Sequence, residues 1–268
     1  MQDFRNLFLP DLADKVALVT GASGGIGAEI VRMLALHGSK VVAVDKNGLA
    51  LEELNTKLSV DGFEIETRIA DISVETEIES VIADIDKNLG PLNYLVNGAG
   101  VLRAGPVTNF SLDDWDSIMR VNATGVFLAS RAAAANMVRH GTKGSIVTVA
   151  SNAAQIARTN MAAYAASKAA AISFTKCLGL ELASHGIRCN VVAPGSTDTE
   201  MLRALWGTDD KTVDTLNGSL ATYRPGIPLK RIATPANIAA TILFLLSESA
   251  SHITLQTLTV DGGATLGT

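Results

Sequence analysis

Short runs of β-branched and other apolar residues alternate along this chain with longer stretches whose apolar positions recur at helical spacing. VALVT (16–20) reads as a strand, and GIGAEIVRMLALHG (25–38) as a helix ending at Gly38. KVVAVD (40–45) is a second strand, LALEELNTKL (49–58) a helix, and a third strand lies near FEIETRIA (63–70). VETEIESVIADIDKNLG (74–90) is a helix closed by Gly90-Pro91, and LNYLVNGAG (92–100) is a buried strand running into a glycine turn. The second half repeats the scheme. A long helical region (111–140) leads to the strand GSIVTVAS (144–151), and a helix (161–184) leads to the strand IRCNVVAPG (187–195). After a less regular segment (196–230), the helix ANIAATILFLLS (236–247) and the strand QTLTVDGG (256–263) complete the pattern.

Strand-helix-strand units with short connections imply a parallel sheet covered by helices on both faces. Continuous apolar strands such as YLV and SIVTV fit burial on both sides. The expectation is one doubly wound α/β domain with seven parallel strands over residues 14–268. Residues 1–13 precede it as an N-terminal extension without an assigned role. Ligands are expected at the carboxyl ends of the strands.

Composition agrees with one large core: of 268 residues, 47% are hydrophobic and 18% charged. The net charge of −5 and the lack of a basic run argue against nucleic acid and anionic lipid as partners. The longest apolar run, IAATILFLL (238–246), is far short of the ~20 residues that span a bilayer. MQDFRNLFLPDLADK (1–15) lacks the form of a secretory signal, so the expected location is the cytoplasm. Cys177 and Cys189 lie in apolar sequence and are expected to be buried thiols. His37, His140, His185 and His252 lack ligand spacing, and no metal is expected.

The chemistry begins after the first strand. In TGASGGIG (20–27), Gly21 permits a sharp turn, Gly25 lets the backbone approach a pyrophosphate, and Gly27 allows close helix–sheet packing. The helix that follows offers free N–H groups to the anion. Asp45 ends the second strand, where a carboxylate accepts hydrogen bonds from a ribose diol and repels a 2′-phosphate. Gly24 stands where a basic residue would favour NADP, so NAD is the expected cofactor, with Lys46 a mild counter-argument. Asp71, ending the third strand, fits an adenine pocket or a helix cap.

Tyr164 and Lys168 are four apart on a helix and share one face. A phenol is a poor base at neutral pH, and lowering its pKa from 10 to near 7 takes ~4 kcal/mol of differential stabilisation. A nearby ammonium and a cationic nicotinamide in a desolvated cleft supply it. Ser151, ending a strand, is placed to hold the substrate oxygen.

TGASGGIG, NGAG (97–100), Asn122, Ser151, YAASK (164–168) and PGSTDT (194–199) together resemble the short-chain dehydrogenase/reductase family over residues 14–268. The resemblance implies a Rossmann-type fold and a catalytic set of Asn122, Ser151, Tyr164 and Lys168. In it the lysine also holds the nicotinamide ribose, and Asn122 supports a water relay. It implies further cofactor contacts from Ser23, Ile26, Lys46, Ile72, Asn97, Gly98, Ala99, Pro194, Gly195 and Thr197. Thr199 would meet the nicotinamide amide. Two positions depart from the family pattern: Gly98 replaces an asparagine, and Leu255 replaces a common glycine.

Longer stretches, among them RTNMAAYAASKAA (158–170) and HITLQTLTVDGGATLG (252–267), resemble one branch of the family. That branch aromatises a carboxylated dihydrodiol to a catechol for siderophore synthesis. The implied reaction moves a hydride from C3 to NAD with Tyr164 as general base. Arg103 and Arg158 are the candidate carboxylate anchors, and Met201, Leu202 and Trp206 look like a lid. Alternatives are a ring bearing an amine (dihydro-hydroxyanthranilate), a ketoacyl-carrier-protein reductase using NADPH, and a non-catalytic NAD-sensing protein. Asp45 and Gly24 argue against the reductase, and the intact catalytic set against the sensor. RAAAANM (131–137) and AASKAAA (165–171) suit close helix packing. Equivalent helices in the family pair between subunits, so a homotetramer is expected.

Overall fold

The computed structural model describes residues 9–267. Strands β1 (Val16–Thr20), β2 (Lys40–Asp45), β3 (Glu66–Ile69), β4 (Tyr94–Asn97), β5 (Ser145–Val149) and β6 (Arg188–Pro194) belong to the main sheet. β7 (Gly218–Ser219) and β8 (Arg224–Pro225) form a small antiparallel ribbon, and β9 (Thr257–Val260) closes the main sheet. The spatial order is β3-β2-β1-β4-β5-β6-β9, parallel throughout. Seven strands and their direction match the sequence expectation. Helices α1 (Gly25–Leu36), α2 (Gly48–Val60), α3 (Glu75–Asn88), α4 (Leu112–Met119), α5 (Val126–His140) and α6 (Ala162–Leu182) cover the two faces. The irregular segment 196–230 contains α7 (Glu200–Trp206), α8 (Thr212–Asn217) and the ribbon, and α9 (Pro235–Leu246) follows.

Successive strand residues point to opposite faces, and here both faces are dry. Ala17 and Val19 of β1 join one core with α1, α2 and α9, while Val16 and Leu18 join a second core with α3 and α5. That double burial is why the strands are apolar without alternation. Leu9 and Leu12 pack into the first core, and the Asp11 carboxylate accepts the Glu248 N–H at 2.7 Å. The expected boundary at residue 14 therefore falls inside packed chain. Residues 1–8 of the expected extension lie outside the described residues.

One expectation is refined and one corrected. The expected helical region is unbroken over 112–140 but contains a π-helical turn, Arg120–Gly125, between α4 and α5. A π turn holds more residues than an α-helical turn, so a pattern read at the α-helical period does not reveal it. Cys177 is exposed, because α6 buries Ala171, Thr175 and Gly179 on another side. Cys189 is buried as expected, and its thiol is pushed up to about 12 by burial, against the pull of Arg188. Leu255, the residue in place of a glycine, keeps the left-handed backbone at φ 63°, which costs a leucine about 1–2 kcal/mol. Its N–H bonds the Cys189 carbonyl at 2.7 Å, holding the entry to β9. Among the described residues, no helix is long and apolar enough to cross a membrane, and no group of side chains could hold a metal.

Candidate active site

Strand order reverses at β1, whose neighbours β2 and β4 lead to opposite halves of the sheet. Such a reversal opens a crevice at the carboxyl ends of the strands. Thr20, the last residue of β1, ties the two loops there: its Oγ accepts the N–H groups of Gly98 and Ala99 at 3.2 and 3.4 Å. The approach is so close that Cβ atoms do not fit. One on Gly21, itself at φ +64°, would lie 2.5 Å from the Ala99 Cα, and one on Gly98 would lie 2.6 Å from the Thr20 carbonyl oxygen. The departure at Gly98 thus goes with a contact between the loops.

The long cleft over this crevice is walled by the phosphate loop, including Gly21, Ser23, Gly25, Ile26 and Gly27. Asp45, Lys46, Asp71 and Ile72 close its other side, and Gly98 and Ala99 its floor. The Asp45 carboxylate accepts the Ser23 N–H at 3.2 Å and the Asn47 N–H at 3.1 Å, which fixes it at the cleft edge. The Asp71 carboxyl is held low: burial opposes this, but hydrogen bonds from Ser73 and the charges of Lys46 and Arg120 outweigh it. Both carboxylates therefore offer acceptor oxygens to a sugar or base. Asn97 does not wall the cleft. Its amide is buried between β4 and its neighbours and donates to Ser130 and Thr148 at 2.9 and 3.2 Å, because the last strand residue points back into the sheet.

The cleft runs into a second cavity through the shared residues Ile26, Gly98, Gly100, Thr199 and Met201. Ser151, Tyr164 and Lys168 line this second cavity, with Pro194, Gly195 and Thr197 from the end of β6. Tyr164 and Lys168 are nearly buried, and the Lys168 ammonium sits 5.9 Å from the phenol ring centre. Its Nζ donates to the Val149 carbonyl at 2.9 Å, and this bond to β5 aims the side chain under the tyrosine. Burial pushes the Tyr164 phenol up to about 12, against a lowering hydrogen bond with Ser151. Burial also brings the Lys168 ammonium down to about 8. In the protein alone the phenol is therefore a weaker acid than in water, and less of it is phenolate at neutral pH. Reaching pKa 7 takes about 7 kcal/mol rather than ~4, because dehydration penalises the phenolate.

Asn122 lies in the π turn, fully buried behind these groups. Its Oδ1 accepts the Val101 N–H at 2.8 Å, and its Nδ2 donates to the Val101 carbonyl at 2.9 Å and the Ser167 Oγ at 3.0 Å. The amide thus pins the loop after β4 to α6 and holds Lys168 indirectly.

Thr199 caps α7, accepting the Leu202 N–H at 3.4 Å, and so swings Met201, Leu202 and Leu205 over the cavity. Trp206 ends α7 half-buried and outside the cavity wall. Arg103 is also outside: it is drawn to the Asp114 carboxylate at 2.9 Å on the surface, a nearer charge than the cavity offers. Arg158 does line the cavity, and so does Arg224, which the sequence reading passed over. Arg224 sits in the two-residue strand β8, inside a stretch whose only legible signals are turn residues.

Comparison with known proteins came out as follows. A family model described as short chain dehydrogenase matches residues 15–210. The chain is 49% identical to 2,3-dihydro-2,3-dihydroxybenzoate dehydrogenase of Bacillus subtilis, over 94% of this chain and 97% of that one. It is 41% identical to the Escherichia coli protein of the same name, over 96% and 99%. Among solved structures, a gluconate 5-dehydrogenase from Burkholderia cenocepacia, in complex with NADP and tartrate, superposes with a TM-score of 0.88. It is 32% identical, over 97% of this chain and 99% of that one.

Proposed function

This chain belongs to the short-chain dehydrogenase family, and from that premise we propose that it oxidises 2,3-dihydro-2,3-dihydroxybenzoate to 2,3-dihydroxybenzoate with NAD. The likeness to dehydrogenases of that name over nearly the whole of both chains carries the substrate. The reaction fits the cavity, where Ser151, Tyr164 and Lys168 face one space that opens into the cofactor cleft.

The residues divide the work. The Ser151 hydroxyl bonds the substrate C3 oxygen and directs its proton toward Tyr164. The Tyr164 phenolate takes that proton as the C3–O bond becomes a carbonyl. Lys168, held by Val149, contributes the positive charge that makes the phenolate accessible. A nicotinamide held between the phosphate loop and Lys168 would supply the acceptor for the hydride from C3, and its oxidised ring a positive charge that favours the phenolate. The resulting ketone has an acidic hydrogen on C2, and losing it makes the ring aromatic, so no further protein group is required. Proximity and one tuned base suffice.

The test is reduction of NAD, followed at 340 nm, with the purified dihydrodiol acid, together with identification of 2,3-dihydroxybenzoate by mass. A protein that reduces NAD with the corresponding dihydro-hydroxyanthranilate and not with the diol would overturn the substrate assignment.

Asp45 supports NAD over NADP, since its fixed carboxylate accepts from a 2′-hydroxyl and repels a 2′-phosphate. Asp45→Ala is expected to cut the ratio of kcat/KM for NAD over NADP by at least about tenfold, ~1.4 kcal/mol. A wild-type enzyme that favours NADP would refute the assignment. The proposed location is the cytoplasm, and a soluble NAD pool there supports this reading.

We assign a homotetramer to the working protein. The outer sides of α5 and α6 carry Phe127, Val138 and Leu180 exposed, and Phe127 meets Phe174 edge-on at 5.8 Å. Exposed apolar side chains on these two helices support pairing with the same helices of another copy. Light scattering at micromolar concentration is expected to give the mass of four chains of 28.0 kDa, and a single-chain mass would exclude it.

A further inference from the structure

Most arginines in this structure have a counter-ion. Arg32, Arg68, Arg103, Arg131, Arg139 and Arg203 each meet a carboxylate at salt-bridge distance. Arg120, Arg158, Arg188, Arg224 and Arg231 meet none among the described residues, and of these Arg158 and Arg224 line the reaction cavity. Both are half-buried in its wall, and neither forms an ion pair among the described residues. Each is tethered by a neutral group instead. Arg158 Nη2 donates to the Asn152 Oδ1 at 3.2 Å, and Arg224 Nη2 donates to the Ser196 Oγ at 2.7 Å.

The nearest acid does not fill the gap. Asp261 attracts Arg158, but the Asn152 amide stands between them, its Nδ2 donating to the Asp261 Oδ2 at 3.1 Å. The other Asp261 oxygen accepts the Gly263 N–H at 2.9 Å. Asp261 therefore orients Asn152, and Asn152 aims Arg158. Burial and the mutual repulsion of the two cations bring the Arg158 guanidinium down to about 10 despite Asp261. Two dehydrated, like-charged guanidiniums facing one cavity are unfavourable in the empty protein, and an anion between them removes the repulsion.

Their place along the cavity gives this a direction. Arg158, Met161, Leu205 and Arg224 also line an adjoining outer pocket bounded by Tyr223 and Leu266. The order is therefore cofactor cleft, catalytic groups, arginine pair, outer pocket. A ring whose reacting hydroxyl meets Tyr164 then extends its far end to the arginines.

We propose that Arg224 joins Arg158 in a two-guanidinium site that binds the carboxylate of the ring substrate and sets the enzyme's preference for carboxylated rings. This rests on the dihydrodiol acid reading of the cavity. Guanidinium forks match a carboxylate with paired hydrogen bonds, and the Asn152 and Ser196 tethers hold both forks in position before the ligand arrives. Arg224 determines specificity and takes no part in proton transfer.

The test titrates the NADH-loaded enzyme calorimetrically with 2,3-dihydroxybenzoate and, separately, with catechol, which lacks only the carboxylate. The wild type is expected to bind the carboxylate at least about tenfold more tightly. Arg224→Met and Arg158→Met are each expected to weaken 2,3-dihydroxybenzoate by tenfold or more while changing catechol by less than threefold. Arg224→Lys, which keeps the charge and loses the fork, should fall between. Removing one of two repelling cations should leave Tm unchanged or raised, which separates loss of the site from loss of the fold. Equal affinity of the wild type for both rings, or wild-type affinity in a folded Arg224→Met protein, would overturn the proposal. Arg224-dependent binding of benzoate and salicylate in an enzyme inert toward the dihydrodiol acid would sustain the anion site and overturn the substrate assignment alone.

Discussion

Tyr164→Phe is expected to lower kcat for oxidation of the dihydrodiol acid by at least about a thousandfold, ~4 kcal/mol of barrier. Binding of NADH, measured by its fluorescence, should stay within about threefold. The substitution removes one oxygen from a side chain that is 7% exposed and leaves the ring that packs beside Lys168. The fold therefore has little to lose. The reaction loses its proton acceptor, because the hydroxyl hydrogen-bonded to the phenol is that of Ser151. Serine is a far weaker acid than a phenol, and no histidine or carboxylate lines the cavity to replace the tyrosine. Turnover within tenfold of wild type would remove Tyr164 from the role of base.

Lys168→Met should cost at least about a hundredfold in kcat/KM at pH 7, with much of the loss recovered at high pH. The phenol is pushed up to about 12 by burial, with only the Ser151 hydrogen bond acting against it. The lysine loses its charge above about pH 8, again through burial. The sign follows directly. Oxidation needs the phenolate, so the rate rises with pH through the apparent pKa of the base. An ammonium below it lowers that pKa over the range where the lysine is still charged. Removing the charge moves the rising limb to higher pH, by two units or more, and each unit is a factor of ten at neutral pH. Profiles of kcat/KM from pH 6 to 10 for both proteins decide the point. A variant profile with the wild-type midpoint and a uniformly lower rate would show that the lysine only packs, and the cofactor's own charge would then have to do all the tuning.

Much of this site was legible because it is local. The glycines at 21, 25 and 27 lie on one turn, Asp45 ends the next strand, and Tyr164 and Lys168 share a helix face. Each signal fits within a few residues whose backbone geometry follows from the hydrophobic period. Arg103 shows where that reasoning stops. From sequence it stood level with Arg158 as a carboxylate anchor, and its competing partner, Asp114, is only eleven positions away. Nothing in residue type distinguishes an arginine that meets an aspartate from one that meets a cavity. Asn97 illustrates the same limit, since a strand-end asparagine faces the ligand or the sheet according to the pleat and the neighbouring Ser130 and Thr148.

By itself, then, the sequence determined the strand and helix alternation, the parallel sheet, the phosphate loop and the tyrosine–lysine pair. All of these arise from periodicity and spacing along a continuous stretch of chain. Only the tertiary structure decided that Arg224, on a two-residue strand, lines the same cavity as Arg158 and feels its charge. The same holds for the π turn that places Asn122 against Val101. Those arrangements depend on charges and backbone groups brought together by folding, so their energies are set by burial and by neighbours that no local window contains.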